Sequence, residues 1–133
     1  IVFGDWSSDV CSSDLMEEDV LISSFQHEEI AAFKQIAPNI PAATLEPTKS
    51  SALKAAFSRG ILVKNAQSVK ADGIHPFTKF VNAKLCKKAH DANLFVNPWT
   101  IDDPKEWRRI IDAGVDGIIT NDPKCLFEFL SSK

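Results

Sequence analysis

The amino-acid sequence predicts an α/β fold in which short parallel strands alternate with helices. Its clearest unit has two apolar runs, Phe95–Thr100 and Val115–Thr120, with a helical pattern between them. Asp103 suits the N-cap of that helix, Pro104 suits its first position and Gly114 suits its end. Strands that alternate with helices favour a parallel sheet with right-handed crossover connections.

The same alternation runs through most of the chain. Apolar runs of strand length predict five strands, which are Val20–Phe25, Ala42–Leu45, Gly73–His75, Phe95–Thr100 and Val115–Thr120. Helical spacing predicts helices at Gln26–Ala37, Ser51–Arg59, Ile61–Val69, Asn82–Ala92 and Pro123–Leu130, beside the helix that begins at Pro104.

Local signals give most of these helices a cap, a stop or a buried face. The predicted caps and stops are Asn82, Asp122, a capping box of Asp103 with Glu106, and Gly60 as the end of the second helix. The side chains predicted to face the core are Ala32, Phe33, Ile36 and Ala37, then Leu85 and Ala89, then Trp107, Ile110 and Ile111.

Residues 5–15 differ from the rest of the chain. They read DWSSDVCSSDL, which resembles the conceptual translation of a common sequencing-library adapter. The segment has neither helical nor alternating periodicity, and it lacks the basic start and long apolar stretch of a signal peptide. We therefore expect residues 1–15 to be an artefact outside the core and residues 16–133 to form the domain, with upstream sequence missing.

Deleting residues 1–15 is expected to leave the thermal midpoint almost unchanged, because no pattern in them would bury a face. Calorimetry of the full and shortened chains measures the difference directly. A large fall in the shortened chain would show that the segment belongs to the fold.

Composition is typical of a soluble globular protein and excludes several classes of function. Of the 133 residues, 44% are hydrophobic and 25% are charged, and no apolar run has the length needed to cross a bilayer. The net charge of −3 comes from three aspartates within residues 1–15, so no clustered basic face for nucleic acid is indicated. Cys86 and Cys125 lack metal or CxxC spacing and are interpreted as buried or half-buried thiols. The compartment stays open, with the cytoplasm slightly favoured.

Several stretches resemble the glycerophosphodiester phosphodiesterase family, whose members are phosphoric diester hydrolases on a TIM barrel. The clearest are Val96–Pro104, VNPWTIDDP, and Gly114–Pro123, GVDGIITNDP. The usual family pattern there is V-x-V-W-T-V-N-x-P and G-V-D-G-I-I-T-D-x-P, so Asp102 replaces a common Asn and Asn121 a common Asp. Two further stretches are similar to family strands, and these are Val20–Phe25 and Ala71–Pro76.

The resemblance implies a partial TIM (β/α)8 barrel of about five carboxyl-terminal βα units. It implies an enzyme of lipid and glycerol metabolism that cleaves glycerophosphodiesters to an alcohol and glycerol 3-phosphate, with Ca²⁺ or Mg²⁺ in the intact protein. The family's His-Arg-Gly segment and second catalytic histidine have no counterpart here, and Glu17-Glu18-Asp19 precedes a strand and so is not its Glu-x-Asp metal pair. The implied fragment is inactive, binds no metal alone, and has the missing amino-terminal half-barrel or a second copy as partner.

Three residues are candidates for the substrate pocket, and none is a candidate for catalysis or for binding a metal. Trp99 ends a strand, where its indole offers one N–H donor and a flat apolar wall to the glycerol or alcohol part of a substrate. Phe25 ends another strand, and His75 offers a neutral imidazole to a phosphate or diol oxygen. Each has a structural alternative, as a core aromatic or a satisfied histidine. His27 and His90 are interpreted as solvent-exposed.

Two other functions stay open on the sequence alone. The chain could belong to a different TIM-barrel or doubly wound enzyme, in which Trp99 has no pocket role. It could also be a small non-catalytic α/β module for binding or assembly. No HExxH zinc motif, Gly-rich phosphate loop or G-x-S-x-G motif supports a zinc, nucleotide or serine-hydrolase enzyme.

Overall fold

A computed structural model describes residues 19–48 and 58–132 of the chain. Within them, four parallel strands form one sheet in chain order, and they are β1 (Ile22–Ser24), β2 (Ala42–Glu46), β3 (Gly73–Pro76) and β4 (Phe95–Val96). Each strand lies beside the next one along the chain, which is the strand order of a parallel (β/α) barrel. The predicted α/β fold with parallel strands is confirmed.

Helices connect successive strands of this sheet and follow the last one. Those in the described residues are α1 (His27–Ile36), α2 (Gly60–Ser68), α3 (Ala83–His90), α4 (Pro104–Asp112) and α5 (Pro123–Ser131), with a short 3₁₀ turn at Thr78–Phe80. All five agree with predicted helices to within two residues at each end. Most of the remaining predicted helix, Ser51–Arg59, lies outside the described residues.

Three predicted N-caps hold their helices as expected. Asn82 accepts a hydrogen bond from the Leu85 amide at 2.9 Å. Asp103 and Asp122 do the same for amides in the first turns of α4 and α5, at 2.9 and 3.0 Å. Each side-chain oxygen satisfies an amide that has no partner inside its helix.

The main core lies between the sheet and its helices. Ala42, Ile74 and Val96 supply the strand side of this core, and the helices supply Ile30, Leu62, Val63, Ala66, Leu85, Ala89, Trp107 and Ile110. Because side chains alternate along a strand, residues beside these three face the opposite side of the sheet. The register places Ala43, Gly73 and Phe95 together on that side.

The fifth predicted strand, Val115–Thr120, is wrong as a buried strand. The segment is extended beside β4, where the Ile119 amide donates to the Pro98 carbonyl at 2.9 Å, but it belongs to no ladder and its side chains are half-buried or exposed. Val96 gives its amide to the Asp116 carboxylate instead. Pro98 has no amide to give, so a regular ladder cannot continue along this edge.

Two predictions about helix faces and ends are also wrong. Ile30 is 1% exposed and fixes the inward face of α1, so Ile36, six residues on, points outward and is 70% exposed. Gly60 begins α2 instead of ending a helix, because Arg59 already has helical backbone angles (φ −59°, ψ −19°).

Two side chains have surroundings that the sequence did not predict. Glu106 accepts hydrogen bonds from Arg109 at 2.7 Å and from Thr78 at 3.3 Å, instead of closing a capping box with Asp103. These bonds hold the pKa of its carboxyl below the usual range, chiefly through Arg109. Of the two predicted buried thiols, Cys86 is buried, but Cys125 is exposed.

An aspartate at the amino end of β3 fastens that strand to β2. The Asp72 amide donates to the Ala42 carbonyl at 2.7 Å, and the Asp72 carboxylate accepts from the Ala42 amide at 2.8 Å. Lys34 of α1 completes the arrangement with an ion pair at 2.8 Å. A Cβ on the following Gly73 would lie 2.2 Å from the Phe95 ring, so only glycine fits there. We call the two hydrogen bonds between Asp72 and Ala42 a latch.

A second latch repeats the first one at Asp116. Its amide donates to the Val96 carbonyl at 3.0 Å, and its carboxylate accepts from the Val96 amide at 2.7 Å. His90 of α3 takes the place of the lysine, at 2.9 Å. His90 is exposed, as predicted. Its ring nevertheless has a specific partner, the Asp116 carboxylate. Gly117 again follows the aspartate.

Candidate active-site mouth

Three aromatic rings meet at the carboxyl ends of the strands. Phe25 follows β1, Phe77 follows β3, and Trp99 comes three residues after β4, where it forms a parallel bridge with Phe77. The Trp99 ring centre lies 5.5 Å from each phenylalanine, edge-on to Phe25 and tilted to Phe77. We call these three residues the aromatic mouth. In barrels of parallel strands, this end is where binding sites form.

The indole N–H of Trp99 is hydrogen-bonded to the main chain. The Nε1–H group donates to the His75 carbonyl at 2.7 Å. The sequence-based expectation that this N–H is free for a substrate is therefore not met, and what Trp99 can offer is its ring face. Phe25 is 47% exposed. An apolar ring at that exposure gives the mouth a surface open to solvent.

His75 lies below the mouth instead of within it. The side chain is 3% exposed, and its ring is tilted against Phe95 at 6.0 Å between centres. Both ring nitrogens are buried without a hydrogen-bond partner among the described residues. Burial lowers the pKa of His75 to about 4, so the ring is neutral near pH 7. The structural alternative of a satisfied histidine is not supported.

Stability is expected to fall on acidification because of His75. Its pKa is about 4 in the folded chain, against an ordinary histidine value of 6.5, so the unfolded chain binds the extra proton between these pH values. The free energy of unfolding should therefore drop by about 3 kcal/mol from pH 6.5 to pH 4, and stay flat for this group above pH 6.5. Urea titrations of wild type and His75→Leu across that range provide the measurement. An equal acid loss in both proteins would exclude His75 as the cause.

Sequence reasoning missed Glu46 and Phe77. Glu46 ends β2 fully buried, and its Oε1 accepts from Asn65 Nδ2 at 2.8 Å. His27 Nε2 lies 3.5 Å from the same oxygen, and with its side chain only 16% exposed it is not the solvent residue that was predicted. A carboxylate or an aromatic directly after a buried strand was the available signal for both residues.

Removing the Glu46 carboxylate should weaken the contacts of β2 with α1 and α2. Glu46→Ala is expected to destabilise the fold by about 2–3 kcal/mol, because the half-buried Asn65 amide loses its acceptor. Glu46→Gln, which keeps one acceptor oxygen, should cost less. Glu29→Ala at an exposed position of α1 is the control, with a change within about 0.5 kcal/mol. Urea unfolding at pH 7 compares the three, and equal effects at positions 46 and 29 would contradict the assigned role.

The described residues contain no group of three or more His, Cys, Asp or Glu that could hold a metal ion. No helix among them is long and apolar enough to pass through a membrane. A shallow depression lies at the opposite, amino-terminal end of the sheet, beside the second latch, and is lined in part by Leu21, Pro41 and Asp116. The aromatic mouth is therefore the candidate site.

The fold is a portion of a (β/α) barrel, and the aromatic mouth lies at the carboxyl ends of its strands. The Glycerophosphoryl diester phosphodiesterase family model matches residues 4–125. The chain belongs to this family. Because the match overlaps residues 5–15, the artefact interpretation of that segment stays a prediction.

Individual relatives agree with the family assignment. A glycerophosphodiester phosphodiesterase of Caldanaerobacter subterraneus is 34% identical over 119 residues, covering 86% of this chain and 43% of the relative. A solved structure from Silicibacter pomeroyi, named as a glycerophosphoryl diester phosphodiesterase, has a TM-score of 0.80 at 25% identity, over 92% of this chain and 41% of that one. The chain thus spans less than half the length of these relatives, consistent with a carboxyl-terminal part.

A more distant structure shares the fold. The phosphodiesterase of Oleispira antarctica, in complex with its product sn-glycerol-3-phosphate, has a TM-score of 0.69 at 17% identity, over 92% of this chain and 48% of that one. Together, the solved structures identify the four-stranded sheet as one side of a TIM barrel.

Proposed function

We propose that residues 16–133 are the carboxyl-terminal part of a glycerophosphodiester phosphodiesterase and supply one wall of its substrate site. The whole enzyme would hydrolyse a glycerophosphodiester to an alcohol and glycerol 3-phosphate. The observation that carries this proposal is the aromatic mouth at the strand ends of a chain that belongs to the family.

The mouth residues suit binding rather than bond cleavage. The faces of Trp99 and Phe25 offer an apolar wall for the carbon atoms of glycerol or of the alcohol. His75 would act from below, because its neutral ring has unused nitrogens but lies buried under the mouth. None of Trp99, Phe25 and His75 carries a charge at neutral pH that would stabilise a phosphoryl transition state.

The divalent cation expected in the intact enzyme, Ca²⁺ or Mg²⁺, does not fit the described residues of this chain. They bring no group of three or more His, Cys, Asp or Glu side chains together to hold a metal ion, whereas these ions prefer several carboxylate oxygens. We therefore assign metal binding and acid–base catalysis to an amino-terminal half-barrel and derive no metal-dependent step here.

That half-barrel is the partner we propose for this chain. In the described residues, β1 has a neighbouring strand on one side only, so its other edge is available. Helix α5 packs Phe129 against Trp107 but leaves Phe127 71% and Leu130 46% exposed on its outer side. A closed barrel would cover both the edge and this apolar face. Self-association through the same surfaces is the competing outcome.

The purified chain alone is expected to show no phosphodiesterase activity. The reason is the lack of a metal site among its described residues. Release of glycerol 3-phosphate from glycerophosphocholine, with Ca²⁺ or Mg²⁺ added, is the assay, and a Caldanaerobacter full-length relative serves as the positive control. Turnover that follows this chain through purification would reject the assignment of catalysis to the other half.

A further inference from the structure

Two of the positions at which the chain departs from the family pattern, Asp102 and Asn121, are bonded to each other. Asp102, in the loop after β4, accepts hydrogen bonds on Oδ1 from the Asn121 amide and from Thr120 Oγ1, each at 2.8 Å. Its other oxygen, Oδ2, accepts from Asn121 Nδ2 at 2.9 Å. Three bonds thus join the loop after β4 to the turn that precedes α5.

Only one of these three bonds depends on which side chain carries the carboxylate. An asparagine at 102 would still accept through Oδ1 from Thr120 and from the amide of residue 121. Its Nδ2 would then donate to an aspartate at 121. The Asn–Asp combination therefore makes the same three bonds with the direction of one reversed.

The joined segments also hold one side of the aromatic mouth. Next to Asp102, the Ile101 amide donates to the Ile119 carbonyl, and the Ile119 amide donates to the Pro98 carbonyl, each at 2.9 Å. Trp99 stands between Pro98 and Ile101, so its backbone is fixed from both sides. We infer that Asp102 and Asn121 form one positioning unit for Trp99 and can be exchanged only together. The role in substrate binding rests on the proposed function, whereas the coupling does not.

The charges around the pair predict an unequal effect of the two single exchanges. The Asn121 and Thr120 bonds hold the pKa of Asp102 below its usual range, so position 102 carries a full negative charge at pH 7. Asn121→Asp would place a second carboxylate where Nδ2 now lies, 2.9 Å from Oδ2. Asp103 and Asp122 lie next to the pair in sequence and offer no compensating positive charge. Asp102→Asn leaves two amides that can still pair.

A double-mutant cycle in the full chain tests the inference. Asp102→Asn, Asn121→Asp and the double exchange are compared with wild type by pulse proteolysis in urea at pH 7. We expect Asn121→Asp to lower the midpoint most, by a few tenths of a molar, Asp102→Asn less, and the double exchange to return to wild type. Failure of Asn121→Asp to fold, with a folded double exchange, also supports coupling. Additive losses would overturn it.

Two further readouts separate positioning from simple stability. Asn121→Asp should recover on acidification, when one of two facing carboxyls takes a proton, while the double exchange should show no such recovery. The indole N–H resonance of Trp99 should shift in Asn121→Asp and return in the double exchange. An unmoved resonance would overturn the positioning role. If coupling holds but the chain combined with the amino-terminal half-barrel of a relative lacks turnover, the proposed function fails and the coupling stands.

Discussion

Phosphodiesterase turnover is expected when this chain is combined with an amino-terminal half-barrel of a relative such as the Caldanaerobacter enzyme, with Ca²⁺ or Mg²⁺ present. The present chain would supply the aromatic mouth and the other half the metal site. Release of glycerol 3-phosphate should rise at least roughly a hundredfold above that of either half alone, because an assembled site lowers the activation free energy by several kcal/mol. Size-exclusion chromatography of the mixture should show a one-to-one complex.

Substitutions on α5 test the docking surface in this experiment. Phe127→Asp with Leu130→Asp places charge on the exposed apolar face and should abolish the complex and the turnover together. Lys84→Asp, at an exposed position of the central helix α3, is the matched control and should change neither. A complex without turnover would support the docking surface and reject the proposed chemistry. If the chain is a monomer that unfolds cooperatively and does not bind the amino-terminal half-barrel, the hypothesis of an autonomous α/β module would be favoured.

Replacing Trp107 by alanine is expected to unfold most of the chain. Its side chain is 1% exposed, its indole N–H donates to the Ile101 carbonyl at 2.7 Å, and its ring contacts Phe129 at 5.5 Å. Trp107 therefore joins α4, α5 and the loop after β4. Truncating a buried tryptophan costs about 3–5 kcal/mol, which is a large part of the stability of a small domain. Near-ultraviolet circular dichroism measures the loss.

Two controls separate these contributions of Trp107. Trp107→Phe keeps an apolar ring but leaves the Ile101 carbonyl without its donor, and should cost about 1–2 kcal/mol. Phe127→Ala removes a ring of similar size from an exposed position of α5 and should cost no more than about 0.5 kcal/mol. Similar losses for Trp107→Ala and Phe127→Ala would mean that the assigned packing is wrong.

Much of the fold could be predicted because its signals are local. Asn82, Asp103 and Asp122 cap helices through bonds to amides within three residues, so the sequence alone identified them. Whether Val115–Thr120 forms a strand depends instead on pairing with its neighbour, β4. Its apolar residues suit a strand, but β4 offers it no regular row of amides, because Val96 gives its amide to Asp116 and Pro98 has none.

The site was predicted in part for the same reason. Trp99 and Phe25 were predicted because they stand at strand ends, and the structure brings their rings together. Their role in binding stays a prediction. The orientation of the Trp99 N–H depended on the carbonyl of a neighbouring strand, which spacing along the chain does not reveal. Glu46 was missed because its partners, His27 and Asn65, are distant in sequence and meet it only in the fold.

The two latches have a direction. Asp72 reaches back to Ala42, and Asp116 reaches back to Val96, so each aspartate secures a strand that the ribosome has already released. Both latches can therefore form during synthesis, because neither of them needs a strand that has yet to be synthesised. A cut upstream of β2 leaves both latches intact, because each of them joins two segments on the downstream side of the cut. A carboxyl-terminal piece of this barrel therefore keeps both latches but loses the contacts that close the barrel on its two open sides.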